Sequence, residues 1–347
     1  MTASALPWGQ ALRSLVRGEQ PLWSVTETLL DSVLCEGTAP EEAPLAAWLA
    51  LNAALGEPPE LLAAAVTRLR ERVPPVPAFV ADWACIDTCG TGGDDAGLFN
   101  VSTAAALMVA ACDVPVAKHG NRSVSSRSGS ADVLSALGLP VALEDKVHER
   151  SLREAGLTFL YAPSYHGALR SFAPLRRSLG VRTLFNQLGP LLHPWGVRRQ
   201  LIGAYSVERA KALAEAARQL GTERTWVVCS AGLDEINPFG VTDVFDVQAD
   251  QVTHFQLGPS DFDQLAGDIH ALVPSCSGPE ASAALILEVW QGRGGAARTL
   301  ASANAAAALV VSGTVADLSA AWQRVNAALD RGDVAARLAA WRKVASQ

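Results

Sequence analysis

Helical spacing of apolar residues runs through the first part of the chain, and no strand-like alternation interrupts it. Ser24 and Glu27 have the spacing of a capping box ahead of one such segment. The proline-rich stretch Val73–Pro77 then breaks the pattern, as linkers between folded segments often do. These features predict a small all-helical N-terminal domain over residues 1–77.

From Asp82 onward, short apolar runs alternate with longer segments of helical character. The strand-like runs are Ala84–Thr88, Val114–His119, Leu157–Ala162, Leu201–Tyr205 and Arg224–Cys229. The helix-like segments between them are Ala104–Ala111, Ala131–Leu137, Asp145–Ala155 and Val207–Leu220. Such alternation is typical of an α/β fold in which helices flank a mostly parallel sheet. We therefore predict an α/β domain over residues 78–347.

The last hundred residues change pattern twice. Two-residue alternation over Val244–Gln256 predicts further strands, and after Ser277 the chain becomes helical again. The helix-like segments there are Ala281–Gln291, Thr299–Ser312 and Ala316–Ala345. The glycine-rich turn Gln291–Gly295 is interpreted as a loop between helices, with a ligand site as the alternative.

Composition narrows the class of protein. The 347 residues are 49% hydrophobic and carry a formal net charge of −7, which argues against a nucleic-acid-coating role because phosphate backbones need a basic face. The sequence contains no run of eighteen apolar residues, so no membrane span is predicted, and its N-terminus does not look like a signal peptide. We therefore expect a cytoplasmic protein. The six cysteines are scattered and do not form a zinc-binding set.

A glycine-rich loop is the first candidate for chemistry. Gly90, Gly92 and Gly93 follow a strand-like run, and Ser102 and Thr103 stand where they could cap the next helix. A glycine-rich turn that leads into a helix N-terminus offers free N–H groups and the positive end of the helix dipole to an anion. The pattern is neither a P-loop nor a dinucleotide fingerprint, and an ordinary turn remains the alternative.

A second polar loop follows the next strand-like run. It contains three cations, Lys118, Arg122 and Arg127, and five serines, at positions 123, 125, 126, 128 and 130. Ligands of parallel sheets bind at the carboxyl ends of strands, where both loops begin. Together the loops predict a ligand with more than one phosphate, although a serine-rich loop can also be merely solvated.

At these residues the chain resembles the anthranilate phosphoribosyltransferases. The matching strings are G-T-G-G-D at Gly90–Asp94, F-N-V-S-T at Phe99–Thr103, K-H-G-N-R-S-V-S-S-R-S-G-S-A-D at Lys118–Asp132, R-T-L-F-N-Q-L-G-P at Arg182–Pro190 and G-L-D-E at Gly232–Glu235. The resemblance implies transfer of the phosphoribosyl group of phosphoribosyl pyrophosphate to the amine of anthranilate, in tryptophan biosynthesis. It also implies a homodimer formed through the helical domain, to which a segment at about 168–199 returns.

The resemblance assigns a set of residues to phosphoribosyl pyrophosphate and Mg²⁺. The sugar diphosphate would be bound by Gly90, Gly93, Asp94, Asn100, Val101, Ser102, Thr103, Lys118, His119, Gly120, Asn121, Arg122, Ser123, Val124, Ser125, Ser126 and Ser130. Asp234 and Glu235, with the hydroxyl of Ser102, would hold Mg²⁺, a hard cation that prefers oxygen ligands.

The same resemblance assigns the arylamine to Gly90, Asn121, Arg176 and Pro190. Arg176 suits a carboxylate because its planar guanidinium can bind both oxygens, and it is expected to act in catalysis together with His119. His119 would lie beside the amine, or would instead be a loop histidine with a structural hydrogen bond.

Two positions depart from the family pattern. Leu98 stands where the family usually has threonine, so we expect weaker binding of phosphoribosyl pyrophosphate. His193 stands where asparagine is common. The first seventy residues also diverge, which leaves the dimer geometry open.

Three other functions compete with this interpretation. A pyrimidine nucleoside phosphorylase would use phosphate as its nucleophile and would carry a different loop fingerprint. A related transferase could act on another aminobenzoate, because Arg176 and Asn121 do not fix the ring position. A non-catalytic nucleic-acid-binding relative would show a broad basic surface and eroded metal carboxylates, neither of which the sequence has.

Overall fold

A computed structural model describes residues 7–34, 41–92, 97–123, 128–264 and 266–345. The chain divides into two compact units. The first comprises Met1–Pro74 and Pro163–Leu192, and the second comprises Pro75–Ala162 and His193–Gln347. The first unit is thus built from two separate stretches of sequence, and the proline-rich stretch predicted as a linker contains its first boundary.

The helices and strands alternate as follows along the described chain. The helices are α1 Trp8–Val16, α2 Trp23–Leu34, α3 Glu42–Leu55, α4 Pro59–Arg70, α5 Val101–Ala111, α6 Ser130–Ala136, α7 Asp145–Ala155, α8 Ala162–Tyr165, α9 Gly167–Arg170, α10 Ala173–Leu179, α11 Leu184–Leu191, α12 Val207–Gln219, α13 Ile269–Leu272, α14 Pro279–Trp290, α15 Ala296–Ser312, α16 Leu318–Asp330 and α17 Asp333–Ala345. The strands are β1 Ile86–Gly90, β2 Val116–Gly120, β3 Leu157–Tyr161, β4 Arg199–Gly203, β5 Arg224–Cys229, β6 Thr242–Gln248 and β7 Gln251–Leu257. Short 3₁₀ helices lie at Ala78–Asp82 and Pro259–Phe262.

The helical unit is held together across a long sequence separation. Nη2 of Arg70, at the end of α4, donates to the carbonyl of Leu191 in α11 at 2.9 Å. Nε2 of Gln187 donates to the buried carboxylate of Glu57 at 2.5 Å. The two stretches of sequence therefore form one hydrogen-bonded unit.

One capping prediction in this unit is wrong. Helix α2 begins at Trp23, so Ser24 lies inside its first turn rather than at the N-cap position. The carbonyl of Ser24 accepts a hydrogen bond from the hydroxyl of Thr28, four residues later. The helix starts earlier than the capping-box spacing indicated because the buried face of α2 begins at once with Val25.

The second unit is built on a seven-stranded sheet with the order β3-β2-β1-β4-β5-β6-β7. Strands β1 to β5 pair in parallel, and β6 and β7 add two antiparallel strands at one edge. Helices lie between the parallel strands, as crossover connections require. The predicted α/β class and mostly parallel sheet are confirmed.

Both faces of this sheet are covered by helices. On one face α5 and α15 form the main core, where Leu201, Trp226 and Val228 point toward them. Their neighbours Ile202 and Val227 point to the opposite face because side chains alternate along a strand. Helix α12 packs on β5, β6 and β7 with buried side chains that lie outside the main core.

Several helix boundaries differ from the sequence prediction: α14 starts at Pro279 and α15 at Ala296, two and three residues earlier than predicted. Helix α5 starts at Val101, three residues earlier than predicted. The C-terminal segment expected to be one helix from Ala316 is two helices, α16 and α17, separated at Gly332, whose φ of 80° is typical of glycine after a helix end. No helix within the described ranges is long and apolar enough to cross a bilayer.

Candidate active site

Two loops leave the carboxyl ends of adjacent strands. Strand β1 ends at Gly90 and β2 at Gly120, and the two strands pair in parallel, so the loops that follow start at the same edge of the sheet. Strand β4 pairs with β1 on the other side, with Gly203 in register with Gly90. The amide of Thr91 donates to the carbonyl of Gly203 at 2.9 Å, which continues the sheet into the first loop.

Asp234 lies directly against this edge. Its Oδ2 accepts a hydrogen bond from the amide of Gly92 at 2.8 Å. A Cβ on Gly90 would lie 2.4 Å from the same oxygen, and a Cβ on Gly203 would lie 1.5 Å from the carbonyl oxygen of Asp234. Glycine is therefore needed at both strand ends, because a side chain at either would displace this carboxylate.

Glu235, the next residue, points at the start of α5. Oγ of Ser102 donates to Oε1 of Glu235 at 3.0 Å. Ser102 was expected to cap α5, but it lies in the first turn of the helix with Asn100 at the N-cap position. The hydroxyl of Thr88, on β1, donates to the carbonyl of Ser102 at 2.9 Å and ties this turn to the sheet. The serine hydroxyl is thereby directed at a carboxylate rather than at its own helix.

Asn100 joins three parts of the chain. Its amide donates to the hydroxyl of Ser282 on α14 at 2.9 Å, and its Oδ1 accepts from the same hydroxyl at 2.9 Å. Oδ1 also accepts from the hydroxyl of Ser128 at 2.6 Å, and Nδ2 donates to the carbonyl of Ser128 at 3.2 Å. Asn100 thus connects the start of α5 to the far end of the second loop.

Asp132 closes that second loop. Its Oδ2 accepts from the amides of Ser123 and Gly129 at 2.9 and 3.1 Å, and its Oδ1 accepts from Nη1 of Arg122 at 2.8 Å. Burial raises the pKa of this carboxyl, but the two amides and the guanidinium outweigh burial and lower it. Arg122 was expected to supply charge to a ligand; in the structure it is exposed and paired with Asp132.

The ends of this loop also pack tightly against each other. The amide of Ala131 donates to the carbonyl of Asn121 at 3.1 Å, and the hydroxyl of Ser130 approaches the same carbonyl at 3.4 Å. A Cβ on Gly120 would lie 2.0 Å from Oγ of Ser130. Gly120, Asn121 and Ser130 are therefore neighbours.

A buried ionic network lies beneath the loops. Asp87 on β1 is fully buried, and its two oxygens accept from the amide of His119 at 3.1 Å, from Nδ1 of His119 at 2.8 Å and from Nε2 of Gln200 at 3.0 Å. Burial raises the pKa of Asp87, but the charge and hydrogen bond of His119 and the charge of Lys118 hold it well below the usual range. Lys118, also buried, donates to the carbonyl of Thr88.

His193, one of the two departures from the family pattern, lies next to this network. Its ring meets that of His119 edge to face, with centroids 5.2 Å apart. Nδ1 accepts from the amides of Trp195 and Val197 at 3.1 and 3.4 Å, so Nε2 carries the proton and donates to the carbonyl of Ala117 at 2.7 Å. These bonds fix the chain where it leaves the helical unit. Leu98, the other departure, is half-buried and packs on the main core.

Asp87, Cys89 and His119 place possible metal-ligand atoms within 4.8 Å of one another. We interpret them as a hydrogen-bonded cluster, because Asp87 and His119 bind each other directly. Burial, followed by the charge of Asp87, raises the pKa of the Cys89 thiol well above its usual value, and metals bind the thiolate.

The remaining predicted site residues are in the helical unit, in the first turn of α5 or outside the described ranges. Arg176, half-buried on α10, and Pro190, inside α11, belong to the helical unit. Five residues assigned to phosphoribosyl pyrophosphate lie outside the described ranges, and so does one predicted cation: Gly93, Asp94, Val124, Ser125, Ser126 and Arg127. Val101 and Thr103 are buried in the first turn of α5.

Sequence reasoning gave no role to four residues that organise the site: Asp87, Asp132, Ser282 and Asn304, whose side-chain amide binds the main chain of Ile236 next to Glu235. Each is a polar residue at the border of an apolar segment or inside one, which by itself could have been noticed. The partners of Asp87 and Ser282 lie 32 to 182 residues away, so spacing did not identify what they bind. Asp132, in contrast, binds residues within ten positions of itself.

The comparisons with known proteins agree with this geometry. Residues 83–335 match a family described as glycosyl transferase family, a/b domain. The anthranilate phosphoribosyltransferase of Hyphomonas neptunium is 42% identical over 333 residues, which cover 96% of this chain and 95% of that protein. That of Anaeromyxobacter sp. is 41% identical over 331 residues, covering 95% and 96%.

Solved structures give the same result. The anthranilate phosphoribosyltransferase of Thermus thermophilus superimposes with a TM-score of 0.85 at 32% identity and covers 97% of this chain and 100% of its own. The Saccharomyces cerevisiae enzyme, solved in complex with PRPP (phosphoribosyl pyrophosphate) and Mg, has a TM-score of 0.84 at 24% identity and covers 99% of each chain. At that identity the yeast structure supports the fold alone.

Proposed function

The chain belongs to the anthranilate phosphoribosyltransferase family, and we propose that it transfers the phosphoribosyl group of phosphoribosyl pyrophosphate to the amine of anthranilate. The products are N-(5-phosphoribosyl)anthranilate and pyrophosphate, in tryptophan biosynthesis. One observation carries the proposal: Asp234 and Glu235 meet the glycine-rich loop and the first turn of α5 through Gly92 and Ser102.

The reaction sets three physical demands. The bond between C1 of the ribose and the pyrophosphate oxygen breaks, so a leaving group with several negative charges has to be stabilised. C1 becomes cation-like as that bond breaks, and the amine nitrogen forms the new bond and then loses a proton. The nucleophile is a neutral amine, so catalysis rests on positioning and electrostatics more than on a strong base.

We assign the diphosphate to the loops at the carboxyl ends of β1 and β2. Helix α5 begins directly after the first loop, so the positive end of its dipole favours a negatively charged group there. Lys118 adds an ammonium with three donors, of which one binds the carbonyl of Thr88. The bonds that Asp132 accepts from the amides of Ser123 and Gly129 hold the two described ends of the second loop together, which lowers the entropy lost on binding.

The donor set around Asp234 fits Mg²⁺. Two carboxylates and a hydroxyl are hard oxygen ligands, and both carboxylates are half-buried, which suits a cation that keeps part of its water shell. We propose that Asp234, Glu235 and Ser102 hold Mg²⁺ together with substrate oxygens. When bound, Mg²⁺ neutralises charge that develops on the pyrophosphate.

For the arylamine we retain the assignments made from the sequence. Arg176 is proposed to bind the carboxylate, with Gly90, Asn121 and Pro190 as further contacts. His119 is proposed to lie beside the amine, and its bond to Asp87 supports a fixed ring orientation with the proton on Nδ1.

The proposal is tested by following anthranilate fluorescence with purified protein, phosphoribosyl pyrophosphate and Mg²⁺. We expect decay that requires all three and that disappears in Asp234→Ala/Glu235→Ala. The matched control is Asp330→Ala/Asp333→Ala, which removes two carboxylates whose salt bridges are with Arg298 and Arg331. The control should keep wild-type activity.

Other outcomes would redirect the assignment. Decay only with a different aminobenzoate would keep the transferase and change the acceptor. Binding of neither phosphoribosyl pyrophosphate nor any aminobenzoate would overturn the enzyme assignment.

Two properties complete the proposal. We propose a homodimer formed through the helical unit, where Val16 and Leu22 are 73% and 68% exposed. Large apolar side chains at the surface favour association. Sedimentation of wild type and Val16→Asp/Leu22→Asp would test this, with a shift to monomer expected for the variant. We further propose that the protein works in the cytoplasm.

A further inference from the structure

We infer that Asn304 is a positioning residue for the Asp234–Glu235 pair. Asn304 lies on α15 within an alanine-rich stretch of the main core and is 1% exposed. A buried amide in such surroundings costs stability unless its donors and acceptor are all engaged. The identity of the ligand of these carboxylates rests on the function proposed above. Their positioning rests on the contacts of Asn304.

The amide of Asn304 binds both polar groups of a single peptide residue. Its Oδ1 accepts from the amide of Ile236 at 3.0 Å, and its Nδ2 donates to the carbonyl of Ile236 at 3.0 Å. Nδ2 also donates to the carbonyl of Leu300, one turn earlier in α15, at 3.0 Å. Ile236, which follows Glu235 directly, is therefore held at both its N–H and its C=O by a rigid helix.

The opposite side of the same loop is held by the sheet. Gly203 leaves no space between β4 and the carbonyl of Asp234, since a Cβ there would lie 1.5 Å from that oxygen. Gly90, its register partner, leaves no space beside the carboxylate, since a Cβ there would lie 2.4 Å from Oδ2. The residues before and after Glu235 are thus fixed from two directions, by strand ends and by α15.

Two further hydrogen bonds hold the remainder of the loop. The hydroxyl of Ser230 donates to the carbonyl of Val241 at 2.7 Å, and the amide of Asn237 donates to the hydroxyl of Thr242 at 3.0 Å. The second bond ties the loop to β6, which begins at Thr242, at a point farther along the chain from Asp234 and Glu235. Asn304 connects the loop to the core, close to the two carboxylates.

A small displacement of these carboxylates should be costly. Mg²⁺ requires nearly ideal octahedral geometry, and partners that orient metal ligands typically contribute about 10- to 100-fold to metal affinity or activity. Asn304→Asp keeps the shape and one acceptor but removes both N–H bonds and places a carboxylate beside the carbonyls of Ile236 and Leu300. We expect this variant to bind a divalent cation about tenfold more weakly or worse.

The experiment measures Mn²⁺ binding by water-proton relaxation, with pyrophosphate present, in wild type, Asn304→Asp and Asn326→Asp. Asn326 is the matched control: it lies on α16, and its Nδ2 donates to the carbonyl of Trp322 at 3.0 Å. Weaker binding in Asn304→Asp alone, with an unchanged circular dichroism spectrum, would support the inference. Equal affinity in wild type and Asn304→Asp would overturn it while leaving the proposed function intact.

Two further results are informative. Wild-type protein that binds no Mn²⁺, and is unaffected by Asp234→Ala/Glu235→Ala, would overturn the proposed metal site and this inference with it. If Asn304→Asp does not fold, amide exchange in the wild type decides the question. The amide of Ile236 should exchange as slowly as the amides of α15, and exchange at the rate of an open loop would refute the role of Asn304.

Discussion

Nδ1 of His119 lies 2.8 Å from Oδ2 of Asp87, on the neighbouring strand, and both residues are buried. The same carboxylate accepts from the main-chain amide of His119 and from Gln200. Both oxygens of Asp87 therefore face N–H donors. A proposed active-site histidine is thus held at its backbone and at its ring by one buried charge.

We expect Asp87→Asn to destabilise the protein by about 3 kcal/mol at pH 7, because an amide must direct its NH₂ group at one of these donors. The pKa of Asp87 is lowered by folding, so its stabilising contribution is complete above the unfolded value of about 4 and is lost as the pH falls below it. Urea unfolding should show the difference between variant and wild type shrinking below pH ~4. A difference that does not change with pH would contradict this account.

Gly203→Ala should abolish most of the activity. The new Cβ cannot coexist with the carbonyl of Asp234 in its present position, and a displacement of about 1 Å in a catalytic group can reduce the rate about 100-fold. Gly258→Ala is the control, because Gly258 has open space at the Cβ position and an extended backbone. Steady-state kinetics should show a loss in the first variant and none in the second.

Leu98→Thr should lower the KM for phosphoribosyl pyrophosphate about fivefold, the value of one hydrogen bond of about 1 kcal/mol. Leu98 packs on the main core, so we expect a stability cost of about 1 kcal/mol as well. Valine has nearly the same shape as threonine but no hydroxyl. Leu98→Val should therefore lose the same stability without lowering the KM for phosphoribosyl pyrophosphate. Equal KM values in the two variants would show that no hydroxyl contact is made.

Arg176→Lys should raise the KM for anthranilate about tenfold, because an ammonium cannot bind a carboxylate through two parallel hydrogen bonds. The KM for phosphoribosyl pyrophosphate should stay the same. Arg177→Lys, a change at the exposed neighbour on the same helix, should alter neither constant. If both substitutions act alike, Arg176 has no special role in binding the acceptor.

Protonation of His148 should make the protein less stable in mild acid. Burial lowers its pKa to about 4, and its Nδ1 is 2.8 Å from Oγ1 of Thr158. Between pH ~6.5, the pKa in the unfolded chain, and pH ~4, the unfolded chain binds a proton that the folded chain does not bind. The free energy of unfolding should therefore decrease by about 3 kcal/mol as the pH is lowered through this range. His148→Gln should lack this loss in urea unfolding at pH 7 and 4, whereas His254→Gln, at an exposed site, should retain it.

The sequence was informative where chemistry is local. The alternation of apolar runs gave the sheet and most of its helices, and the two loop motifs pointed to strand ends that the structure has at Gly90 and Gly120. The family resemblance, rather than spacing, singled out Asp234 and Glu235, because an adjacent acidic pair is common on any surface.

The sequence was uninformative where partners are distant. Asn304 accepts a hydrogen bond from the main-chain amide of Ile236, 68 residues away, and Ser282 accepts one from the main-chain amide of Asn100, 182 residues away. A polar residue in an apolar helix gives no indication of which group it will meet. Ser102 was taken as a helix cap for a similar reason, because its actual partner, Glu235, is 133 residues distant.

The bond between Arg70 and the carbonyl of Leu191 has a consequence for biosynthesis. The two residues are 121 positions apart, so at about 10 residues per second the ribosome adds the second partner about 12 s after the first. Helix α4 is synthesised long before α11. Strand β1 is likewise synthesised long before its sheet partner β4, which begins at Arg199. The nascent chain therefore cannot complete the helical unit before Leu192 has been made, and the sheet of the second unit needs the chain as far as β7, which ends at Leu257. A chaperone that shields α1–α4 during this interval should raise the yield of folded protein, and moving the codons of α9–α11 next to those of α4 should remove that need.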